Sequence, residues 1–376
     1  MPDSSFVAGL EDVVALTSDI CFIDGEEGRL VYRGYDIHDL VNGGASFEEV
    51  VYLLWHGELP SAAQYKEFCE SLGRDRAMDK DIIAVLHTMP TGANAMEMLR
   101  TLVSAAGLFD PDAADTSYDA SVRKAQRLVA KLPTFVTAIE RYKNGQTLVE
   151  PRSDLGQAAN FLYMLTGKEP SSYDANAFNT ALILHADHEL NASTFSARVT
   201  AGTLSDMYSA ITSAVGTLKG PLHGGANEQV MLMLKDIDDP TKAESWIRKA
   251  LEDKRRIMGF GHRVYHTEDP RATHLRQMSK EMGEREGVTK YYEISQIVER
   301  VVKEVKHLNP NVDFYSASTY YTMGLPIHLF TPIFAVSRVS GWTAHVLEQY
   351  RNNRLIRPRA EYTGIRRRDY TPLSAR

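Results

Sequence analysis

Cysteine is almost missing from this chain, with Cys21 and Cys69 the only two in 376 residues. Nothing in their spacing suggests a disulfide framework or a cysteine-bound metal. An excess of basic charge is missing too: Lys and Arg number 42 against 49 Asp and Glu, a formal net charge of −7. That balance argues against a nucleic-acid partner. It also requires that any anionic ligand be met by a local basic cluster rather than by the field of the whole molecule. No apolar run reaches the ~18 residues of a membrane span, and Met1–Phe6 lacks the basic-then-apolar order of a secretory signal. The expectation is a cytoplasmic protein with no membrane partner, long enough for two domains around a large core.

Strand signals are sparse as well. Cys21-Phe22-Ile23, Asp24-Gly25-Glu26-Glu27-Gly28 and Leu30-Val31-Tyr32 form one hairpin pattern near the N-terminus. Helical periodicity dominates the rest of the chain. Ser46-Phe47-Glu48-Glu49 reads as a capping box before an apolar stretch that Gly57 and Pro60 end. Further helices are predicted over Ser121–Tyr142, Ala175–Leu190, Ser205–Leu218, Lys242–Met258, Ala272–Met282, Tyr291–Leu308 and Pro326–Tyr350. Acidic or proline-marked linkers fall at Asp110-Pro111-Asp112 and Asp236–Pro240. The pattern implies an all-α, multi-helix enzyme with a small N-terminal β-hairpin.

What is present is a set of three marked segments. Gly220-Pro221-Leu222-His223-Gly224-Gly225 and Gly259-Phe260-Gly261-His262-Arg263 each set a histidine among glycines, and Asn311-Val312-Asp313 adds a carboxylate. Glycine flanks allow close approach of backbone to a ligand. Two histidines and a carboxylate are the parts needed to remove a proton beside a carbonyl and hold the resulting enolate. The glycine pair after His223 is also a candidate hinge. His185 and His188 stand three apart in a predicted helix, a spacing compatible with metal binding. They lack the His-Glu-x-x-His order and any obvious third ligand, so His188 reads better as substrate-facing and no metal is expected. A metal-dependent hydrolase or lyase built on these histidines is the remote alternative. Among the arginines, Arg271 is placed just before a helix and Arg357 lies in a basic stretch near the C-terminus. Arg338 sits in an apolar helix, where it must find a partner or a ligand. Converging guanidinium groups suit a small polycarboxylate, whereas Arg366-Arg367-Arg368 reads as a solvated face.

These motifs, with Ile23-Asp24-Gly25, Tyr32-Arg33-Gly34-Tyr35-Asp36, Asp269-Pro270-Arg271 and Arg357-Pro358-Arg359-Ala360-Glu361-Tyr362-Thr363-Gly364, resemble the shorter bacterial and archaeal branch of the citrate synthase family over nearly the whole chain. The resemblance implies an all-α homodimer with a large domain in two parts, 1–224 and 325–376, and a small domain over 225–324. It implies condensation of acetyl-CoA with oxaloacetate, with coenzyme A as product and no tightly bound cofactor. Asp313 falls on the family's base, His223 on its enolate-stabilising histidine, and His262 on the histidine that polarises the oxaloacetate carbonyl. His188, Arg271 and Arg338 fall on oxaloacetate ligands, and Arg357 on an arginine supplied by the partner subunit. Gly259, Phe260, Gly261 and Arg263 fall on the coenzyme A contacts. 2-Methylcitrate synthase, which uses propionyl-CoA, is the close rival. Two departures stand out: His266 where relatives often carry lysine, which bears on a coenzyme phosphate contact, and the missing proline near Ala95, a structural difference only.

Overall fold

The computed structural model describes residues 7–11 and 13–376, so the reading of Met1–Phe6 lies outside the described residues. The hairpin gains a strand: β1 (Cys21–Asp24), β2 (Arg29–Tyr32) and the short β3 (Tyr35–Asp36) form one antiparallel sheet in that order. Apart from an isolated bridge between Phe260 and Pro310, the other regular elements among the described residues are helical. The first body comprises α1 (Ile37–Asn42), α2 (Phe47–His56), α3 (Ala62–Asp75), α4 (Lys80–His87), α5 (Ala95–Phe109) and α6 (Tyr118–Lys143). It continues with α7 (Gln157–Thr166), α8 (Ser172–His185), α9 (Ala192–Gly202) and α10 (Met207–Leu218). Five helices then pack chiefly on one another: α11 (Ala226–Ile237), α12 (Pro240–Glu252), α13 (Pro270–Glu286), α14 (Lys290–Lys306) and α15 (Val312–Thr322). The chain returns to the first body as α16 (Phe330–Arg351), entered through a 3₁₀ turn at Ile327–Leu329.

Sequence explains most of these boundaries. The Ser46 hydroxyl accepts from the Glu49 amide at 3.1 Å while the Glu49 carboxylate accepts from the Ser46 amide at 2.8 Å, the capping box read from sequence. A second box at Ser61 and Gln64 starts α3. Asn94 caps α5 through the Met96 amide at 2.9 Å, so that helix starts at Ala95 without a proline.

Several predicted ends are corrected. The helix expected to reach Leu190 stops at His185, because its last carbonyls are taken by other elements rather than by another turn of amides. Tyr32 Oη donates to the Ile183 carbonyl at 3.1 Å, Arg338 Nε to that of His185 at 2.7 Å, and the Gly341 amide to that of Ala186 at 3.2 Å. His185 and His188 therefore do not share a helix face. The helix expected to reach Met258 ends at Glu252, just before Lys254 turns left-handed, and that expected to reach Leu308 ends at Lys306 with His307 left-handed. Arg271 lies within the first turn of α13, after Pro270, rather than before it.

The core runs along α16, where nineteen of 22 residues are buried. It packs against α2, α6, α8, α9 and α10, which places Arg338 at the centre of the first body.

Candidate active site

Four loops and helix starts meet around Arg338. Residues 259–261 pair with 309–311: the Gly261 amide donates to the Asn309 carbonyl at 2.9 Å, the Asn311 amide to that of Gly259 at 2.9 Å, and Asn311 Nδ2 to that of Gly261 at 3.0 Å. This pairing ties the segment carrying His262 to the start of α15, where Asp313 sits. Gly259 has φ +83°, and a Cβ there would lie 2.8 Å from Val230 and 3.0 Å from Phe314. Its glycine is thus required by backbone conformation and packing. Phe260 packs on Phe314 with ring centroids 4.5 Å apart and planes tilted by 56°, and Arg263 is exposed.

Asp269 is the hub that sequence reasoning missed. It is buried, and its carboxylate accepts from Arg271 Nε at 2.9 Å and Nη2 at 2.7 Å, from the Arg271 amide at 3.0 Å and from the Val312 amide at 3.1 Å. One side chain thus caps α13, fixes the Arg271 fork and holds the first turn of α15. The aspartate–proline order at a helix start was the available signal. Burial alone would raise its carboxyl pKa, but the Arg271 guanidinium holds it below the usual range. Burial works against the charge of Arg271, and Asp269 offsets it, leaving the guanidinium more firmly protonated than usual.

Asp313 has no such help. Its amide donates to Asn311 Oδ1 at 3.0 Å, while its own Oδ1 is sealed from solvent without a hydrogen-bond partner. Burial pushes its pKa up to about 7, against the pull of Arg271 and Arg338. Arg338 is the matching cation. It is buried, its Nε donates to the His185 carbonyl, its guanidinium stands 4.6 Å from the centroid of the Phe334 ring, and it has no carboxylate partner among the described residues. Burial brings its pKa down to about 10, with Asp187 opposing.

Burial favours the neutral form of His223, His262 and His188, and the tautomers of the first two follow from their partners. The Ser193 amide donates to His223 Nε2 at 3.3 Å, so the ring proton is assigned to Nδ1. The Ser193 hydroxyl, 2.8 Å from the same nitrogen, is held by Asn191 Oδ1 at 2.8 Å and Trp342 Nε1 at 3.0 Å. Burial, then Arg338, brings the His223 pKa down to about 4. The Val264 and Tyr265 amides donate to His262 Nδ1 at 3.0 and 3.3 Å, which leaves its proton on Nε2. Burial, then Arg271, brings that imidazole to about 4. His188 is buried in the loop after α8, its Nε2 3.2 Å from Tyr265 Oη and its ring centroid 5.0 Å from that of His262. Burial, then Arg271, holds it well below its usual range. Ser193 and Tyr265 were not singled out from sequence, since a serine and a tyrosine next to better-marked residues carry no signal of their own.

The structure thus brings His188, His262, Arg271, Asp313, Arg338 and His223 into one electrostatic neighbourhood, with His188, Arg271 and Arg338 buried and the others partly so. Arg357 is not among them. It is exposed in the segment after α16, well before the short 3₁₀ turn at Leu373–Ala375, and makes no hydrogen bond or ion pair among the described residues. Beside His262 opens a cavity of about 270 Å³, lined by Tyr265, His266, Asp269, His307 and Leu308 among others. The His185 imidazole turns back on its own helix, Nδ1 2.8 Å from the Ala181 carbonyl, and burial, with Arg271 and Arg338, brings its pKa down to about 3. No group of three metal-ligating side chains converges among the described residues.

Such a site, on an almost all-helical frame, has the parts to make a carbanion and to hold a dianion. Comparison with known proteins gives it a family. Residues 9–359 match the family described as citrate synthase, C-terminal domain. The chain is 53% identical to a citrate synthase of Haloferax volcanii over 98% of both chains. It is 43% identical to 2-methylcitrate synthase 1 of Corynebacterium glutamicum over the full length of both. Its fold matches the ternary complex of citrate synthase from Thermoplasma acidophilum with carboxymethyl coenzyme A and oxaloacetate, with a TM-score of 0.93, 34% identity and 98% of both chains covered. The chain belongs to the citrate synthase family and is an enzyme of the acyltransferase type.

Proposed function

We propose that the enzyme condenses acetyl-CoA with oxaloacetate and hydrolyses the citryl-CoA intermediate to citrate and CoA, the entry step of the tricarboxylic acid cycle. The observation that carries this reading is the lone carboxylate of Asp313, lifted to about 7 and unpartnered beside cations. A base near the working pH suits abstraction from a weak carbon acid. Asp313 takes a methyl proton of the thioester while Nδ1–H of His223 donates to the thioester oxygen. A neutral imidazole stabilises an enolate oxygen without handing over its proton outright. The enolate carbon attacks the ketone of oxaloacetate, whose oxygen receives the hydrogen bond of His262 Nε2–H. Arg271, Arg338 and His188 bind the two carboxylates, and Arg338, lacking a carboxylate of its own, is the natural counter-ion for one of them.

On this reading the chain folds as a large domain, 1–224 with 325–376, and a small one, 225–324, in line with the self-packing of α11 to α15. Oxaloacetate closes the small domain about the Gly224–Gly225 turn, and closure completes the coenzyme A site at Gly259, Phe260, Gly261 and Arg263. The enzyme acts as a cytoplasmic homodimer in which the exposed Arg357 reaches the partner's oxaloacetate. Coenzyme A comes and goes as substrate and product, with no tightly bound cofactor.

The similarity to 2-methylcitrate synthases supports propionyl-CoA as a second acyl donor. One methylene alters discrimination by only ~1–3 kcal/mol. Measuring kcat/KM for both thioesters with oxaloacetate tests the assignment: acetyl-CoA is expected to lead, and a higher value for propionyl-CoA would make the enzyme a methylcitrate synthase.

A further inference from the structure

The turn of the N-terminal hairpin, Asp24–Gly28, rests on the loop that carries His262. The His266 amide donates to the Gly25 carbonyl at 2.9 Å. Gly25 lies so close to the Val264 carbonyl that any Cβ would collide with that oxygen, and a Cβ on Gly28 would come within 2.7 Å of Thr267 and 3.0 Å of the Glu268 carbonyl. The turn is preformed: Asp24 Oδ1 accepts from the Glu26 and Glu27 amides at 2.9 and 2.8 Å. Its strands are anchored in the first body, with Ile20, Leu30 and Tyr32 buried and Tyr32 Oη donating to the carbonyls of Ile183 at 3.1 Å and Asp187 at 3.0 Å. The peptide units it leans on also orient the imidazole. The Val264 and Tyr265 amides hold His262 Nδ1, and Tyr265 Oη holds His188.

We propose that this turn is a strap that positions His262. It docks on Val264–Glu268 when the small domain stands against the large one, and the contact fixes the loop whose amides set the His262 ring. Gly25 is then a positioning residue, acting through backbone far off in sequence and touching no substrate, whereas Gly28, at φ +68°, is required by the turn itself. The inference rests on the domain-closure reading above. Gly25 does not occupy the left-handed region, so alanine is compatible with the hairpin itself. What alanine cannot do is let the hairpin dock.

Gly25→Ala is the test. Its ligand-free melting temperature should match the parent, because the open form carries no collision. Oxaloacetate should compact it less in solution scattering and should tighten a coenzyme A analogue less. Turnover should fall on the order of tenfold to a hundredfold, the size of loss that small misplacement of a reacting group causes. Asp24→Ala, which loosens the turn without adding bulk at the contact, should give the same pattern with a smaller loss. If the parent itself fails to compact with oxaloacetate, the closure reading falls and the strap with it. If the parent compacts and Gly25→Ala compacts and turns over equally well, the strap alone is refuted. A lowered ligand-free melting temperature in both variants, with binding and compaction intact in the folded fraction, would reduce the turn to a structural element and also refute it.

Discussion

Two carboxylates, Asp269 and Asp313, belong to the same site and have opposite fates. Asp269 accepts from both ends of a guanidinium and from two backbone amides, and it stays ionised below its usual range. Asp313 starts the neighbouring helix, has one oxygen sealed without a partner, and is pushed up to about 7. Both feel Arg271, so the nearness of a cation does not separate them. The difference is the number of hydrogen-bond donors: a carboxylate saturated by donors is a fixed charge for building, and one starved of them is free to exchange a proton. The arginines repeat the contrast. Arg271 is neutralised within the protein, whereas Arg338 has no carboxylate partner among the described residues.

Substitution should break this symmetry with opposite signs. Asp313→Asn keeps the shape and removes the base, and steady-state turnover should drop by roughly 10²–10⁴, with little change in oxaloacetate affinity. Near-normal turnover would take Asp313 out of the mechanism. Asp269→Asn should instead act on stability, because it leaves Arg271 buried without its partner. Denaturant unfolding should report a loss of about 3–5 kcal/mol, and an unchanged midpoint would show that the pair contributes nothing to the fold. Arg338→Lys retains charge but loses the fork. The KM for oxaloacetate should rise roughly 10- to 150-fold, the equivalent of about 1.5–3 kcal/mol for a hydrogen bond to a charged group, and a matching rise in KM for acetyl-CoA would argue against this role.

The smallest effect sharpens the comparison by pH. The folded pKa of Asp313, about 7, lies above its ordinary 3.8, so the native state binds the extra proton between those values. This group's contribution to stability is therefore full below about 4 and lost as pH rises through about 7. Asp269, with its pKa depressed, has the opposite sign, its contribution being lost as pH falls into acid. Turnover, which needs the ionised base, should rise with pH through about 7. At pH 8 the ligand-free Asp313→Asn variant should unfold at a higher denaturant concentration than the parent. A lower one would mean that the ionised carboxylate is not strained in the native state.

Helix identity was more legible than helix ends. The capping box at Ser46 and the apolar run of α16 can be read from local spacing. The stop of α8 cannot, because Tyr32, Arg338 and Gly341, which take its carbonyls, come from 140 or more residues away in sequence. The same division holds at the site. His223, His262 and Asp313 announce themselves by glycine and asparagine neighbours, and Arg338 by its apolar surroundings. Asp269, Ser193 and Tyr265 do their work through partners that only the fold supplies. Gly259, expected to make room for a coenzyme, is already explained by its positive φ and its packing on Val230 and Phe314.

The position of α16 carries a consequence for biosynthesis. The helix threads the middle of the first body, yet α2, α6, α8, α9 and α10, which surround it, all precede it in the chain. At roughly 5–20 residues per second, the interval between the end of α10 at Leu218 and the end of α16 at Arg351 lasts on the order of ten seconds on the ribosome. Throughout that interval the apolar faces that α2, α6, α8, α9 and α10 turn toward α16 lack their partner. The chain is therefore most exposed to aggregation and to chaperone capture late in translation, and the helix that relieves this state is the one that delivers Arg338.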